Sequence, residues 1–408
     1  MVRYELKKAL DSRGGKVALA LYLALVILMC WLSVGSVTWV DDQGGHIKGP
    51  AAAQKLRQAQ SQWEGFVDQE LLNRVLQENQ RIESTPQAQS QDVTQRDIAF
   101  GWKQGFAPIR EMISDSYRDS FRDYDYYTAD SLTEIDEQTF YGNRIRLLEQ
   151  WLYDETDSAF TRFSEEEKQY ILEQYRQFQS PVYFEYHEGW YWLLHNTSWL
   201  SCEVLILSFL LAGLFTNERK WKAEAVYLST PLGRKMATAA KVKAGIALIT
   251  LLYWAAILVY SLVTLGCLGA QGGGCMIQVR SWQCMYNLSI AHVWVIQVVC
   301  GYLGQLFLGL LVMYTAARFD SAPLAVSVPF LLYFLPGFLE GQADWLDRLL
   351  KLGPTTLTDG YSQIRSFDLV TVFGKVFPPL QLCVPVYLAL SLVLIPAIGA
   401  GFRRKQIA

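Results

Sequence analysis

A single ionisable residue, Glu203, interrupts a long apolar stretch of the chain, Thr197 to Asn217. A carboxylate inside a membrane segment marks an ion or substrate path by default, because it must find a partner or a purpose there. It sits about one turn from the outer end of its segment. Two bland readings therefore stand beside the functional one: snorkelling of the side chain to the surface, and pairing with a neighbour such as His292, near the outer end of a later apolar stretch. The other titratable patterns have the wrong spacing for chemistry. His187 and Glu188 begin a zinc-helix signature, but the next histidine is His195 rather than one four residues on. Asp123 and Asp125 form an Asp-x-Asp of the kind that holds a metal with a sugar nucleotide, yet they stand in a segment so acidic that a surface pair is expected by chance. The four histidines, His46, His187, His195 and His292, are scattered over separate segments, which leaves no basis for a Ser/His/Asp arrangement. No phosphate-binding GxxxxGK[ST] loop occurs, so P-loop nucleotide hydrolysis is not expected on this chain. No catalytic residue, metal site or cofactor is expected on it.

The elements that must position Glu203 follow from the charge map. The 408 residues are 51% apolar and 18% charged, but the charge is unevenly spread. Besides Thr197 to Asn217, five stretches carry almost none: Val17 to Val40, Ala244 to Val279, Ser281 to Ala317, Ser321 to Leu339 and Val376 to Phe402. Each exceeds the roughly 18 residues of a membrane span. Asp41 to Asn196 is the opposite, with 15 Lys+Arg and 28 Asp+Glu in 156 residues, and belongs in water. The expected fold is an all-α polytopic membrane protein: six transmembrane helices with a large, mainly helical extracytoplasmic domain between the first and second. Residues 1–15 form an amphipathic interfacial helix, 16–40 the first membrane helix and 41–195 the outer domain. Residues 196–217 form the second membrane helix, 218–243 a cytoplasmic loop, and 244–408 the last four helices with short loops and a basic tail. A cytosolic enzyme, a nucleic-acid binder and a soluble secreted domain are excluded. The first apolar run has 24 uncharged residues, longer than the roughly 7–15 of a signal-peptide core, and is read as retained.

Basic residues set the orientation. With six spans, one side receives 16 Lys+Arg, from the N-terminus, Glu218 to Lys243, Arg318 and the tail; the short loops opposite receive 5. The richer side is cytoplasmic by the positive-inside rule, which places both termini inside. None of the seven cysteines falls in the outer block. Cys275 and Cys284 share a short outer loop, where a bridge and two spectator thiols are both open readings.

Val2, Leu6, Ala9 and Leu10 recur with helical spacing opposite Arg3, Lys7 and Lys8, as in a helix lying on the inner leaflet. Gly14 and Gly15 then let the chain turn into the bilayer. Trp31, Trp39, Trp190, Trp192 and Trp199 suit an interfacial aromatic belt. In the outer block apolar residues from Leu56 to Val75 recur every three to five positions, and Ser131 with Glu134 and Ser164 with Glu167 have capping-box spacing. Gln77 to Gln95 reads as a loop or hinge. Prolines crowd the last two spans, where neighbouring helices must satisfy the freed carbonyls.

The basic segment Phe215 to Lys241, FTNERKWKAEAVYLSTPLGRKMATAAK, is helix-prone and broken at Ser229 to Gly233. It reads as a helix–turn–helix elbow or, more blandly, as a positive-inside anchor. This loop resembles the coupling region of permease subunits of type-2 ATP-binding-cassette exporters, above all Gram-positive members with an extracytoplasmic insert between the first two spans. The matching features are Phe215 and Glu218, then Leu228, Ser229, Thr230 and Pro231, then Arg234 and Lys241. The aromatic run Gly189 to Trp192 resembles the segment before that family's second span. Lys222 stands where the family usually has glycine. The resemblance implies a half-permease that forms a homo- or heterodimer with a second permease and docks an ABC ATPase subunit, which binds the ATP and Mg. Glu218, Trp221, Glu224, Ser229, Thr230, Pro231 and Arg234 would then couple ATP hydrolysis to outward movement of a peptide, lipid, drug or ion across the cell membrane. Glu203 and His292 are the candidates for a substrate or ion pathway. The rival reading is a membrane-anchored sensor or immunity protein whose outer helical domain binds a ligand. It has to accommodate the absence of any sizeable cytoplasmic domain from the layout above.

Overall fold

The computed structural model describes residues 1–197, 202–220 and 236–403. Trp199, Trp221, Lys222, Glu224, Leu228, Ser229, Thr230, Pro231, Arg234, Arg404 and Lys405 lie outside the described residues, and of Glu218 only its place near the end of a helix is described. The chain is an all-α polytopic membrane protein: five described helices are long and apolar enough to cross a membrane, and a shorter apolar helix covers Glu203–Asn217.

Helix α1, Val2–Asp11, is followed at once by α2, Arg13–Gly35. The turn between them is made by Ser12, whose extended backbone ends α1 and whose hydroxyl accepts from Gly15 N at 2.9 Å, capping α2. A Cβ on Gly15 would lie 1.9 Å from the Ala9 carbonyl oxygen, so glycine is what lets α1 fold back onto the start of α2. Nothing approaches Gly14. The first span therefore begins earlier than expected and ends at Gly35. Trp39 and Val40, expected within it, form instead a hairpin of β1, Thr38–Val40, with β2, His46–Lys48.

The polar block between the first two apolar helices, called the outer domain after its expected side, is helical, as its periodicity requires. It comprises α3 (Pro50–Gln60), α4 (Gln69–Glu83), α5 (Val93–Trp102), α6 (Ala107–Tyr117), α7 (Thr128–Ser131), α8 (Glu137–Tyr153), α9 (Ser158–Arg162), α10 (Glu165–Arg176) and α11 (Glu188–His195). A two-residue pairing of β3, Gly65–Phe66, with β4, Tyr183–Phe184, ties its start to its end. The capping box of Ser164 and Glu167 is present on α10. The one expected at Ser131 and Glu134 is not: Ser131 closes α7, and the next helix waits for Asp136, whose carboxylate accepts from Thr139 N at 2.8 Å. The glutamine-rich hinge narrows to the link between α4 and α5.

The membrane layer continues with α12 (Glu203–Lys220), α13 (Thr238–Leu268), α14 (Ile290–Phe319), α15 (Ala322–Leu339) and α19 (Pro379–Arg403). Helix α14 is the hub, packing against α12, α13, α15 and α19. Three short helices, α16 (Asp344–Leu350), α17 (Thr355–Thr358) and α18 (Gly360–Arg365), and the hairpin of β5 (Val370–Val372) with β6 (Lys375–Phe377) join α15 to α19. Pro329 and Pro336 lie inside α15, Pro385 and Pro396 inside α19.

Three further expected spans are shorter than their uncharged runs. Residues 269–289 carry almost no charge, yet they form a coiled outer loop, because Gly269 ends α13 at φ 107° and Gly272 continues at φ 75°. That loop is plugged into the outer domain. Arg144 of α8 donates to the carbonyls of Trp282, at 2.9 Å, and Cys284, while Gln283 donates to Phe121 O at 2.5 Å. Likewise Val376 lies in β6 rather than in the last span. Arg162 of α9 meets Asp368 at 3.0 Å, which also holds Lys351 at 2.5 Å. That domain is thus pinned to the loops at one end of the bundle by polar contacts.

Candidate functional site

Glu203, at the start of α12, is 1% exposed. Its Oε2 accepts a hydrogen bond from the Tyr22 hydroxyl of α2 at 2.9 Å, and the same hydroxyl lies 2.7 Å from the Leu252 carbonyl oxygen of α13. Oε1 has no hydrogen-bond partner among the described residues. Tyr22 has one proton for two oxygens. A protonated carboxyl, or the amide of a glutamine, would supply the missing donor; a carboxylate would not. The arrangement is a buried polar junction of α2, α12 and α13, not a side chain reaching for the membrane surface. Nor does it join Glu203 to His292, whose Nδ1 is 3.0 Å from Ser289 Oγ at the start of its own helix α14. The two candidates for one pathway are therefore not brought together.

A second junction lies at the opposite end of the bundle. Lys241, in the first turn of α13, is fully buried. Its Nζ is 3.3 Å from Glu5 Oε2 of α1, donates to the Leu214 carbonyl of α12 at 2.5 Å, and stands 5.8 Å from the centre of the Phe215 ring. Glu5 is 4% exposed and also meets Lys8 at 3.2 Å. The other side of Phe215 meets Phe402 of α19, ring centres 5.5 Å apart. Four helices thus converge where the chain enters and leaves residues 221–235. Phe215 and Lys241 were both singled out from the sequence, and the structure brings them together. A lysine so enclosed is not a leaflet anchor, as the bland reading of that loop had it.

Sequence reasoning missed Glu5, Tyr22 and Phe402. Glu5 had a legible signal, since it falls between Val2 and Ala9 on the apolar face of α1. Tyr22 had none, because its partner is 181 positions away.

The outer block holds the other polar sites. Asp130 accepts from Arg110 through both oxygens, at 3.1 and 2.7 Å, and from Lys103 and Asn79 at 3.0 and 2.9 Å. Burial opposes its charge, but these donors hold its carboxyl below the usual range. Burial pushes Asp115 up to about 6 despite Arg118 at 3.4 Å. His187 is wholly buried, which pushes its imidazole below the ordinary value, and its Nδ1 lies 2.8 Å from Glu185 O. His195 is stacked on Tyr191 instead of joining it. Asp123 and Asp125 hold their own turns, through Ser120 Oγ at 2.7 Å and Tyr127 N at 2.8 Å. Among the described residues no group of three or more His, Cys, Asp or Glu is placed to hold a metal ion. Cys275 and Cys284 are free thiols, buried against different neighbours.

The aromatic run before α12 lies in α11. A Cβ on Gly189 would fall 2.0 Å from the Gly269 carbonyl oxygen, so this glycine lets α11 cross the end of α13, and Trp190 Nε1 donates to Ala270 O at 2.8 Å. No family model matches the chain, and no curated protein or solved structure matches it either.

Proposed function

We propose that this chain is the membrane-spanning permease subunit of an ATP-driven exporter of the ATP-binding-cassette type. It works with six spans, the short apolar helix α12 being the second. The observation that carries the reading is the junction of Glu5, Lys241, Leu214 and Phe215: both ends of residues 221–235 are held to α1 and α19, and α13 leaves that junction for the far side of the bundle. A loop anchored so firmly transmits a push on its surface into the spans, where a slack loop would absorb it. Of the proposed coupling residues, Glu218 lies near the end of α12, and Trp221, Glu224, Ser229, Thr230, Pro231 and Arg234 belong to the segment that follows it. The partner is an ATPase subunit supplying ATP and Mg, and a second permease completes the pathway. Both termini face the cytoplasm of a cell with this protein in its plasma membrane, and the outer domain faces away. The cargo is a peptide, lipid, drug or ion.

The test uses the chain in nanodiscs with the ATPase subunit encoded nearest to it. Association of the two, with ATPase activity dependent on the permease and lost on charge reversal at Glu218 combined with Pro231→Ala, is the expected result. A normal complex with normal stimulated activity in that double variant would defeat the coupling assignment. Failure of any ATPase to associate would favour the sensor reading.

A further inference from the structure

A cavity of about 430 Å³ opens in the outer domain beside the hairpin that follows α2. That volume falls in the range of small-ligand sites, roughly 300–1,000 Å³. Its walls include three indoles from three separate elements, Trp39 of β1, Trp63 after α3 and Trp102 at the end of α5. Trp63 is already committed, with the Phe106 ring at 5.0 Å and the Arg74 guanidinium 5.2 Å from its centre. Trp39 and Trp102 have no ring or cation neighbour among the described residues, although both line the cavity and both are half-buried. Both pack on one side against the core, which leaves half-buried indole surface in the cavity wall without a ring or cation of its own to meet.

The polar residues of the wall say which kind. Arg81 is the one basic residue lining it, and its guanidinium is closed onto Glu78 through two bonds, at 2.8 and 2.7 Å. Asp42 remains, exposed at the rim. Around them the outer block carries 28 acids against 15 bases, so the field at the mouth is negative. Indole faces attract cations, and a carboxylate at the rim adds to that attraction; an anion would meet Asp42 and find Arg81 occupied. The mount is firm as well. Gln104 clamps β1 to the α5–α6 turn, accepting from Val40 N at 2.8 Å and donating to Val40 O at 3.0 Å, so Trp39 and Trp102 keep their spacing.

We infer that the cavity between Trp39, Trp63 and Trp102 is a binding site for an organic cation, an ammonium or guanidinium group borne on an apolar body. A free quaternary amine and the side chain of a basic peptide share that chemistry. The site does not depend on the transport reading, because it is complete in this chain and needs no ATPase.

The experiment is calorimetric titration of the purified full-length chain in nanodiscs with three probes: benzyltrimethylammonium, the amide of Phe-Arg, and benzenesulfonate as the anion of similar size. Saturable binding of at least one cationic probe and at least tenfold weaker binding of the sulfonate are expected. Binding of the quaternary amine alone points to a small-molecule ligand, and binding of the peptide amide alone to a peptide. Trp102→Leu should weaken the cation at least tenfold, within the range of one lost cation–π contact plus its apolar area. Asp42→Asn, an exposed change that spares the fold, should weaken it about threefold and make the remaining binding less sensitive to salt. Binding of no cationic probe, equal binding of the sulfonate, or unchanged affinity in both variants overturns the site.

Discussion

Removing one member of the Glu5–Lys241 pair tests the inner junction most directly. At 3.3 Å and an effective dielectric of 20 the gross attraction is about 5 kcal/mol, set against the cost of dehydrating both ions. Breaking a buried pair from one side typically costs about 3–5 kcal/mol, since a charge is left behind without its counter-ion. The two sides are unequal here. Lys241→Met leaves Glu5 with Lys8 at 3.2 Å, which brings its cost below that range, to about 2–3 kcal/mol. Glu5→Gln takes the carboxylate from an ammonium that is wholly buried, at about 3–5 kcal/mol. The double variant leaves neither member of this pair buried alone, although Lys8 still loses Glu5, and it should lose less than the sum of the singles by about 2 kcal/mol or more. Reversible unfolding by sodium dodecyl sulfate in mixed micelles, followed by far-ultraviolet dichroism, measures all four corners of the cycle. Additive losses within about 0.5 kcal/mol, or a Lys241→Met protein as stable as the parent, would refute the claim that the pair holds α1 to α13.

Tyr22→Phe should destabilise the chain more than Glu203→Gln in the same assay, by about 1–2 kcal/mol, because the amide can still serve Tyr22 whereas the phenyl ring strips Glu203 of its described donor; the reverse order would mean that the junction is not held by this bond. Glu203→Leu should fold at least as well as Glu203→Gln but lose transport, and unchanged export would reduce Glu203 to a packing role. Asp115→Asn should stabilise the outer domain in a pH-dependent way. The native carboxyl titrates near 6 against an ordinary 3.8, so its ionisation penalises the folded state progressively between those values and fully above them. The variant should gain up to about 2–3 kcal/mol at pH 7.5 and almost nothing at pH 4, and a gain that does not change with pH would exclude Asp115 as its source. Arg144→Met should free the loop at 269–289, seen as faster limited proteolysis there, since Arg144 is 3% exposed and holds two of its carbonyls. Impermeant thiol reagents on intact cells should label a cysteine placed at Gln91 and not one at Asn217, and the opposite pattern would invert the orientation.

How much was legible depended on the range of the interaction. Long charge-free runs are a local property of composition, and they announced the membrane class and the helical membrane layer, because no charge is cheaply left in hydrocarbon. The amphipathic α1 and the Ser164 capping box were equally local, each set by spacing within about one or two turns. Absence of charge did not locate the ends of the spans. Val17 to Val40 and Ala244 to Val279 both outran their helices, because uncharged residues also serve in a hairpin, as Thr38 to Val40 do, and in a loop docked against a folded domain, as the glycines and glutamines after Leu268 do. The partners of the buried ionisable groups lay beyond any periodicity. Glu203 meets Tyr22 across 181 positions, and Lys241 meets Glu5 across 236. The cavity of the outer domain takes one indole from each of three elements. A sequence states which side chains cannot remain alone in an apolar interior. Which of the distant groups relieves each of them is decided by helix packing, where a buried charge or hydroxyl is stabilised only by atoms within about 3 Å, however far along the chain they come from.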